Sequence, residues 1–354
     1  MRARGHFMLV VTLLAGCGAL TPPSPDGGAG GGSSGEGPAT GGGSATGGGS
    51  ATGGGSGGGG LEAPWVEVAL RVPAGTLGTV QQLAARPGEI FALVANRFLL
   101  RSAGGRFEEV LVFTDPILDL MQFSGTGAAA VSLYAQLMVC TGGCELGSNF
   151  GQYGVGATPL ALCGSADDLG VMTRSADAGA ALYEQNDAGW DFVARINVRK
   201  PLDCARTTRG DLFVAGQGGV GKANATQTSI EVPDTSGLGR ISANEQWTKI
   251  GTDGKWVVAA SARGAVARRP EGGGWTVESA MNGDISALAV ESPRDIWVIG
   301  SGAGLARYDG TRWGSAGAGP AQLTSFDALA VESSHVYVGG KDAAGVARVF
   351  RRLR

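Results

Sequence analysis

From Trp65 onward, apolar residues do not recur at a helical spacing. They gather in short runs divided by glycine, aspartate, serine and proline. Two late stretches make the pattern plain. The run 287–292 (Ala-Leu-Ala-Val-Glu-Ser) is followed by 296–300, and the same six residues recur at 328–333, followed by 336–340. Leu288 and Leu329 are 41 residues apart. Weaker copies step backward through the chain, led by Trp247, Cys204, Leu162, Leu120 and Leu83. Each has a second apolar run shortly after, as at Lys255-Trp256-Val257-Val258 and Asp211-Leu212-Phe213-Val214. Seven repeats result, of which the second (117–158) and fourth (202–240) are poor copies.

The sixth repeat divides into four β-type runs, 286–290, 295–299, 304–308 and 312–315. The last two are joined through Asp309-Gly310, where glycine tolerates the positive φ of a tight hairpin. Four strands in a repeat of about 40 residues are the signature of a propeller blade. A right-handed β-helix has shorter coils, and a β-sandwich would not yield seven copies. The expected fold is therefore all-β, a seven-bladed β-propeller.

The last repeat supplies three runs (327–331, 335–339, 345–350) before the sequence reaches Arg354. Other repeats open their fourth run near an aromatic, at Phe107, Trp190, Trp275 and Trp313. The segment 63–70 has the same aromatic start at Trp65. It is expected to serve as the outer strand of the last blade and so close the ring, protecting edges that would otherwise pair with other chains.

The segment 304–313, Gly-Leu-Ala-Arg-Tyr-Asp-Gly-Thr-Arg-Trp, preceded by Asp295-Ile296-Trp297-Val298, resembles repeats of bacterial two-component-regulator propellers and of Kelch-like or Asp-box-like lipoproteins. That resemblance implies the fold. Asp-box sialidases carry a fuller Ser-x-Asp-x-Gly-x-x-Trp pattern, so it implies no catalytic residues here.

The first residues carry a different signal. Arg2 and Arg4 precede an apolar run, 7–15, too short to span a bilayer, and small residues then lead to Cys17. Leu14-Ala15-Gly16-Cys17 resembles the lipobox of bacterial lipoproteins. The resemblance implies cleavage after residue 16 and lipid attachment at Cys17, so that the membrane is reached through acyl chains. Gly18, rather than aspartate, in the next position implies an exported protein destined for the outer membrane. Residues 17–60 are nearly devoid of large apolar side chains and repeat Ala-Thr-Gly-Gly-Gly-Ser three times. Such a stretch cannot offset its ordering entropy and is expected to be a tether spanning about 35 Å on average. The expected organisation is a signal peptide (1–16), a lipidated cysteine and linker (17–60), and a propeller (61–354).

Composition narrows the chemistry. With 43% hydrophobic residues among 354, a substantial core is available, and 28 basic residues against 31 acidic give a net charge of −3. No basic stripe accompanies these numbers, so nucleic acid is not an expected partner. The two histidines are His6, within the signal, and His335, which excludes a His-rich metal site from the mature chain. No cofactor is implied: the glycine-rich run 216–221 lacks the Lys-Ser/Thr ending of a phosphate loop and reads as a hairpin turn.

Beyond Cys17 stand Cys140, Cys144, Cys163 and Cys204. In an oxidising compartment these are expected to form disulfides rather than a metal site. Of three possible connectivities, the favoured one clamps Cys140 to Cys144 within a hairpin and joins Cys163 to Cys204 between the first strands of neighbouring blades. Asp167, Asp168, Asp203, Asp211, Asp284 and Asp295 fall near blade turns, where aspartate serves by bonding backbone. The tryptophans Trp247, Trp256, Trp275, Trp297 and Trp313 are expected mostly between blades. Together these features suggest a non-enzymatic, lipid-anchored envelope propeller that binds protein or polysaccharide. The rival reading is a carbohydrate-active enzyme with acids at the channel mouth.

Overall fold

The computed structural model describes residues 63–73, 76–86, 88–102, 106–112, 117–123, 127–132, 137–140, 144–146, 158–165, 168–174, 179–186, 189–224, 227–238 and 245–354. Cys17 and the segments expected to be a signal peptide and a tether lie outside them. The chain divides after Gly58, and all that follows concerns the unit Gly59–Arg354.

That unit holds seven four-stranded antiparallel sheets. Blade 1 is β2 (Val80–Arg86), β3 (Glu89–Val94), β4 (Phe98–Ser102) and β5 (Phe107–Val112); blade 2 is β6 (Ile117–Phe123), β7 (Gly127–Ser132), β8 (Leu137–Cys140) and β9 (Cys144–Leu146). Blade 3 is β10 (Pro159–Ser165), β11 (Asp168–Arg174), β12 (Ala180–Asn186) and β13 (Gly189–Ile196); blade 4 is β14 (Arg199–Arg206), β15 (Leu212–Gln217), β16 (Gly219–Ala223) and β17 (Thr228–Glu231). Blade 5 comprises β18 (Trp247–Thr252), β19 (Trp256–Ser261), β20 (Ala265–Pro270) and β21 (Thr276–Ser279); blade 6 comprises β22 (Ile285–Ser292), β23 (Asp295–Gly300), β24 (Gly304–Tyr308) and β25 (Trp313–Ala318). Blade 7 has β26 (Ala328–Val331), β27 (His335–Lys341) and β28 (Ala347–Leu353), with β1 (Val66–Val68) as its fourth strand. The innermost strands touch in ring order, β2 to β6, β10, β14, β18, β22, β26 and back to β2. The two repeats that are poor sequence copies, the second and fourth, are complete blades.

Ring closure takes the expected form and extends further. β1 runs antiparallel to β28, with Val66 opposite Arg351 and Val68 opposite Val349. The chain then crosses to blade 1, where Phe107 N–H donates to Ala69 O at 3.0 Å and Arg71 N–H donates to Phe107 O at 3.1 Å. Upstream, the Trp65 indole N–H donates to Ala318 O of blade 6 at 2.9 Å and its ring lies under the Arg352 guanidinium, 4.8 Å away. One short segment thus laces three blades together.

Each blade buries both faces, so its middle strands are continuous apolar runs rather than alternating ones. β3 and β23 are almost wholly buried. Trp247 and Trp297 are deep in the cores between neighbouring blades, with Trp275 and Trp313 packed against those cores, as the repeat positions suggested. Close blade approach needs small residues: a Cβ on Gly221 of blade 4 would lie 2.2 Å from Ile196 Cγ2 of blade 3. The Gly216–Gly221 run is the β15–β16 hairpin, with Gly218 at φ +85°.

A device repeats in blades 1, 4 and 6. An acid at the head of the second strand (Glu89, Asp211, Asp295) is followed two residues later by an aromatic (Phe91, Phe213, Trp297). Directly across on the third strand stands a base, Arg101, Lys222 or Arg307. Lys222 reaches Asp211 at 3.0 Å and Arg307 reaches Asp295 at 2.8 Å, and Arg101 pairs with Glu89. The same cations lie 5.1 to 5.9 Å from the ring centroids. Each base is therefore partly dehydrated against an aromatic face while keeping its counter-ion, which makes the pair worth more than an exposed one.

Candidate functional site: the central channel

Five inner strands carry a one-residue bulge near their start, between Val80 and Gln82, Ile117 and Asp119, Pro159 and Ala161, Trp247 and Lys249, and Ile285 and Ala287. β14 is also displaced, between Arg199 and Asp203. The residues after these irregularities, with Ala328 of β26, form one structural level of the ring. In blades 3, 6 and 7 that level holds alanine. In blades 1, 2, 4 and 5 it holds Gln82, Asp119, Asp203 and Lys249, and these four line a cavity of about 680 Å³ to which all seven inner strands contribute.

The two aspartates are held by the blades that follow them. Asp119 is buried; one carboxylate oxygen accepts from the Gln82 amide of blade 1, and the other accepts from Leu162 N–H of blade 3 at 2.7 Å. Asp203 repeats the arrangement: Oδ2 accepts from Ile250 N–H of blade 5 at 2.9 Å and Oδ1 from Cys204 N–H at 2.9 Å. Burial, and then the negative charge of Asp119, push the Asp203 carboxyl up to about 7. Lys249 and the two backbone donors pull the other way. Removing a carboxylate from water disfavours its charged form, and a second acid nearby adds to the penalty. The level thus holds one carboxyl poised near neutrality beside an ammonium.

The wall between the two acids is covalently fixed. Cys163 of β10 and Cys204 of β14 form a disulfide, with Cα atoms 5.5 Å apart. Cys140 is also disulfide-bonded, and the β8–β9 ladder sets it directly opposite Cys144. At the mouth where inner strands end, Arg206 pairs with Glu184 at 2.6 Å, and Thr208 N–H and Oγ1 both donate to Gly254 O. At the other mouth Asp327 accepts from Ser325 Oγ at 2.6 Å and from Thr79 Oγ1, joining blade 7 to blade 1.

Asp203 corrects the turn reading made from sequence, because it stands inside an inner strand and faces the channel. Asp295 and Asp211 are counter-ions in the acid–aromatic–base device, Asp284 precedes β22 with its carbonyl accepting from Ser301 N–H, Asp167 lies outside the described residues, and the side chain of Asp168 is not described. His335 sits half-buried at the head of β27 with Glu332 and Ser334. Asp119, Lys249 and Gln82 were not singled out. Their signal was the residue preceding the leading apolar position of each repeat, which is alanine where no channel chemistry exists. The fifth repeat was also set three residues early: Ile250, not Trp247, is the register equivalent of Leu162, pairing with Ala259 as Leu162 pairs with Val171. Among the described residues no cluster of three or more metal-ligating side chains occurs.

No protein-family profile and no curated protein sequence matches the chain. Solved structures do. YCF48 from Cyanidioschyzon merolae is 14% identical with a TM-score of 0.57, covering 82% of this chain and 99% of that one. A second YCF48 structure, bound to D1 peptide, gives 15% and 0.57, covering 82% of this chain and 97% of that one. Virginiamycin B lyase from Staphylococcus aureus gives 12% and 0.62, covering 83% of this chain and all of that one. The extracellular domain of the putative hybrid two component system BT4673 from B. thetaiotaomicron gives 12% and 0.58, covering 81% of this chain and 39% of that one. This chain shares their fold.

Proposed function

We propose that this chain is an exported binding protein, anchored by lipid at Cys17 and carrying its propeller on the 17–60 linker, whose central channel receives a polypeptide ligand. The observation that carries the reading is the channel level itself. Four of its seven positions bear Gln82, Asp119, Asp203 and Lys249 where the other three bear alanine, around a cavity of about 680 Å³. A wall of closely packed blades needs no such groups, and holding a carboxyl that far from its ordinary range costs stability. The solved YCF48 complex with D1 peptide supports a peptide as the ligand class.

The test places a photocrosslinking amino acid at Lys249, inside the channel, and separately at Ser229 on outer strand β17, in the full chain expressed in cells. The expected result is a discrete crosslinked polypeptide from the Lys249 position alone, recovered with the membrane fraction. Equal products from both positions, or none from Lys249, overturn the reading.

A carbohydrate-active enzyme remains the second reading, favoured by one observation: Asp203 near 7 beside Lys249 is suited to accept and return a proton at neutral pH. Turnover of envelope polysaccharides that disappears in Asp203→Asn would establish it.

A further inference from the structure

The inner strand of blade 4 departs from every other. Where the other bulged strands insert one residue, β14 sets Lys200, Pro201 and Leu202 against Gly216 alone, between the pairs Arg199↔Gln217 and Asp203↔Ala215. Two residues are therefore extra, and they stand at the mouth where the inner strands begin, immediately before Asp203. Lys200 has φ +45°, in the left-handed region that favours glycine. Room for the loop is made from beneath: a Cβ on Gly216 would lie 2.6 Å from Arg199 O and 3.1 Å from Lys200 O. Backbone held in an unfavourable region by its surroundings, next in the chain to a residue that lines a cavity, is a mark of a working surface.

The loop's side chains point to what that surface takes. Arg199 and Lys200 are exposed, and neither forms an ion pair or side-chain hydrogen bond with the described residues. Leu202 is 41% exposed in the same bulge, while Pro201 is buried and anchors the loop. In the other bulges, Thr248 and Ser286 turn their hydroxyls back to strand carbonyls, and the Gln81 side chain accepts from Asn96 N–H. Among the described residues at these bulges, those of blade 4 set two exposed cations, Arg199 and Lys200, ahead of an exposed leucine.

We propose that the β14 bulge is a docking site for an acidic polypeptide segment that sets carboxylates on Arg199 and Lys200 and an apolar side chain on Leu202. Charge complementarity names the carboxylates, and the exposed leucine in the same bulge favours a peptide over an anionic glycan, which has no aliphatic group to bury. The inference is independent of the channel reading, since it uses none of the four channel groups.

The probe is a fluorescein-labelled peptide of alternating glutamate and leucine, with fluorescence anisotropy read on the full chain at low and high salt. Binding is expected to weaken as salt rises. Arg199→Glu/Lys200→Glu should lose at least tenfold in affinity, and Leu202→Ser about threefold. Lys200→Gly, which relieves the positive φ, should raise the melting temperature and keep part of the binding. Ile230→Ser, at an exposed apolar residue of outer strand β17, should bind the probe as the parent does, which separates this site from exposed apolar surface elsewhere. Failure of the parent to bind, or undiminished binding by the charge-reversed variant, overturns the proposal. So does polygalacturonate binding more tightly than the peptide with Leu202→Ser unaffected.

Discussion

Replacing Cys163 and Cys204 together by alanine should cost this ring about 4 kcal/mol, and the size follows from the loop they close. The disulfide spans 41 residues of sequence. In the chain-entropy treatment, releasing a loop of that length returns about 13 cal/mol/K to the unfolded ensemble, or about 4 kcal/mol at 25 °C. Both sulfurs are buried, Cys163 completely and Cys204 at 5% exposure, so a small void adds to the loss. At about 2 °C per kcal/mol for a domain of this size, the melting temperature should fall by about 8 °C. Equilibrium urea unfolding followed by tryptophan fluorescence supplies a second signature. An unfolded chain freed of its cross-link exposes more surface, so the denaturant dependence should steepen as the midpoint falls. A midpoint shift worth less than about 1 kcal/mol, or an unchanged slope, would refute the account that the bond acts by restricting the unfolded chain.

Asp203→Asn tests the channel electrostatics through pH. The folded carboxyl titrates near 7 against an ordinary value of 3.8. Its contribution is therefore fully present below 3.8, where folded and unfolded forms are both protonated, and is lost as pH rises to 7. The asparagine variant should melt with the parent at pH 3.5, gain on it steadily to pH 7, and hold a constant advantage above; a constant difference at every pH would remove the shift. Trp65→Ala should cost about 2 kcal/mol in urea unfolding, because it removes the bond to Ala318, the Arg352 contact and the packing that pins the closing strand. An unchanged midpoint would mean that β1 closes the ring without its aromatic anchor.

The strands, their grouping in fours, the seven blades and the borrowed closing strand were all legible along the chain. Each is written in short apolar runs and turn residues, with Asp309-Gly310 making its hairpin through bonds from Thr311 and Arg312 to one carboxylate oxygen. The acid–aromatic–base device was legible in principle, since its three residues keep near-constant spacing in blades 1, 4 and 6. Cys163 and Cys204 could be matched because Cys204 leads its repeat and Cys163 directly follows Leu162, which leads the one before.

The site was another matter. Which residues share a level around the axis depends on where each inner strand bulges. A bulge leaves no mark in an apolar pattern, because it inserts a residue without breaking the run. Trp247 drew the fifth repeat three residues out of step for that reason, hiding Lys249 at the channel level. Asp203 looked like a turn aspartate because sequence places it near a strand boundary. Only the ring brings it near Asp119 and Lys249, removes it from water and gives it Ile250 N–H as a partner. Strand formation is decided over a few neighbouring residues, whereas the charge state of a channel group is a sum over side chains from blades distant in sequence. The first is fixed by the chain's local order, and the second exists only once the circle is closed.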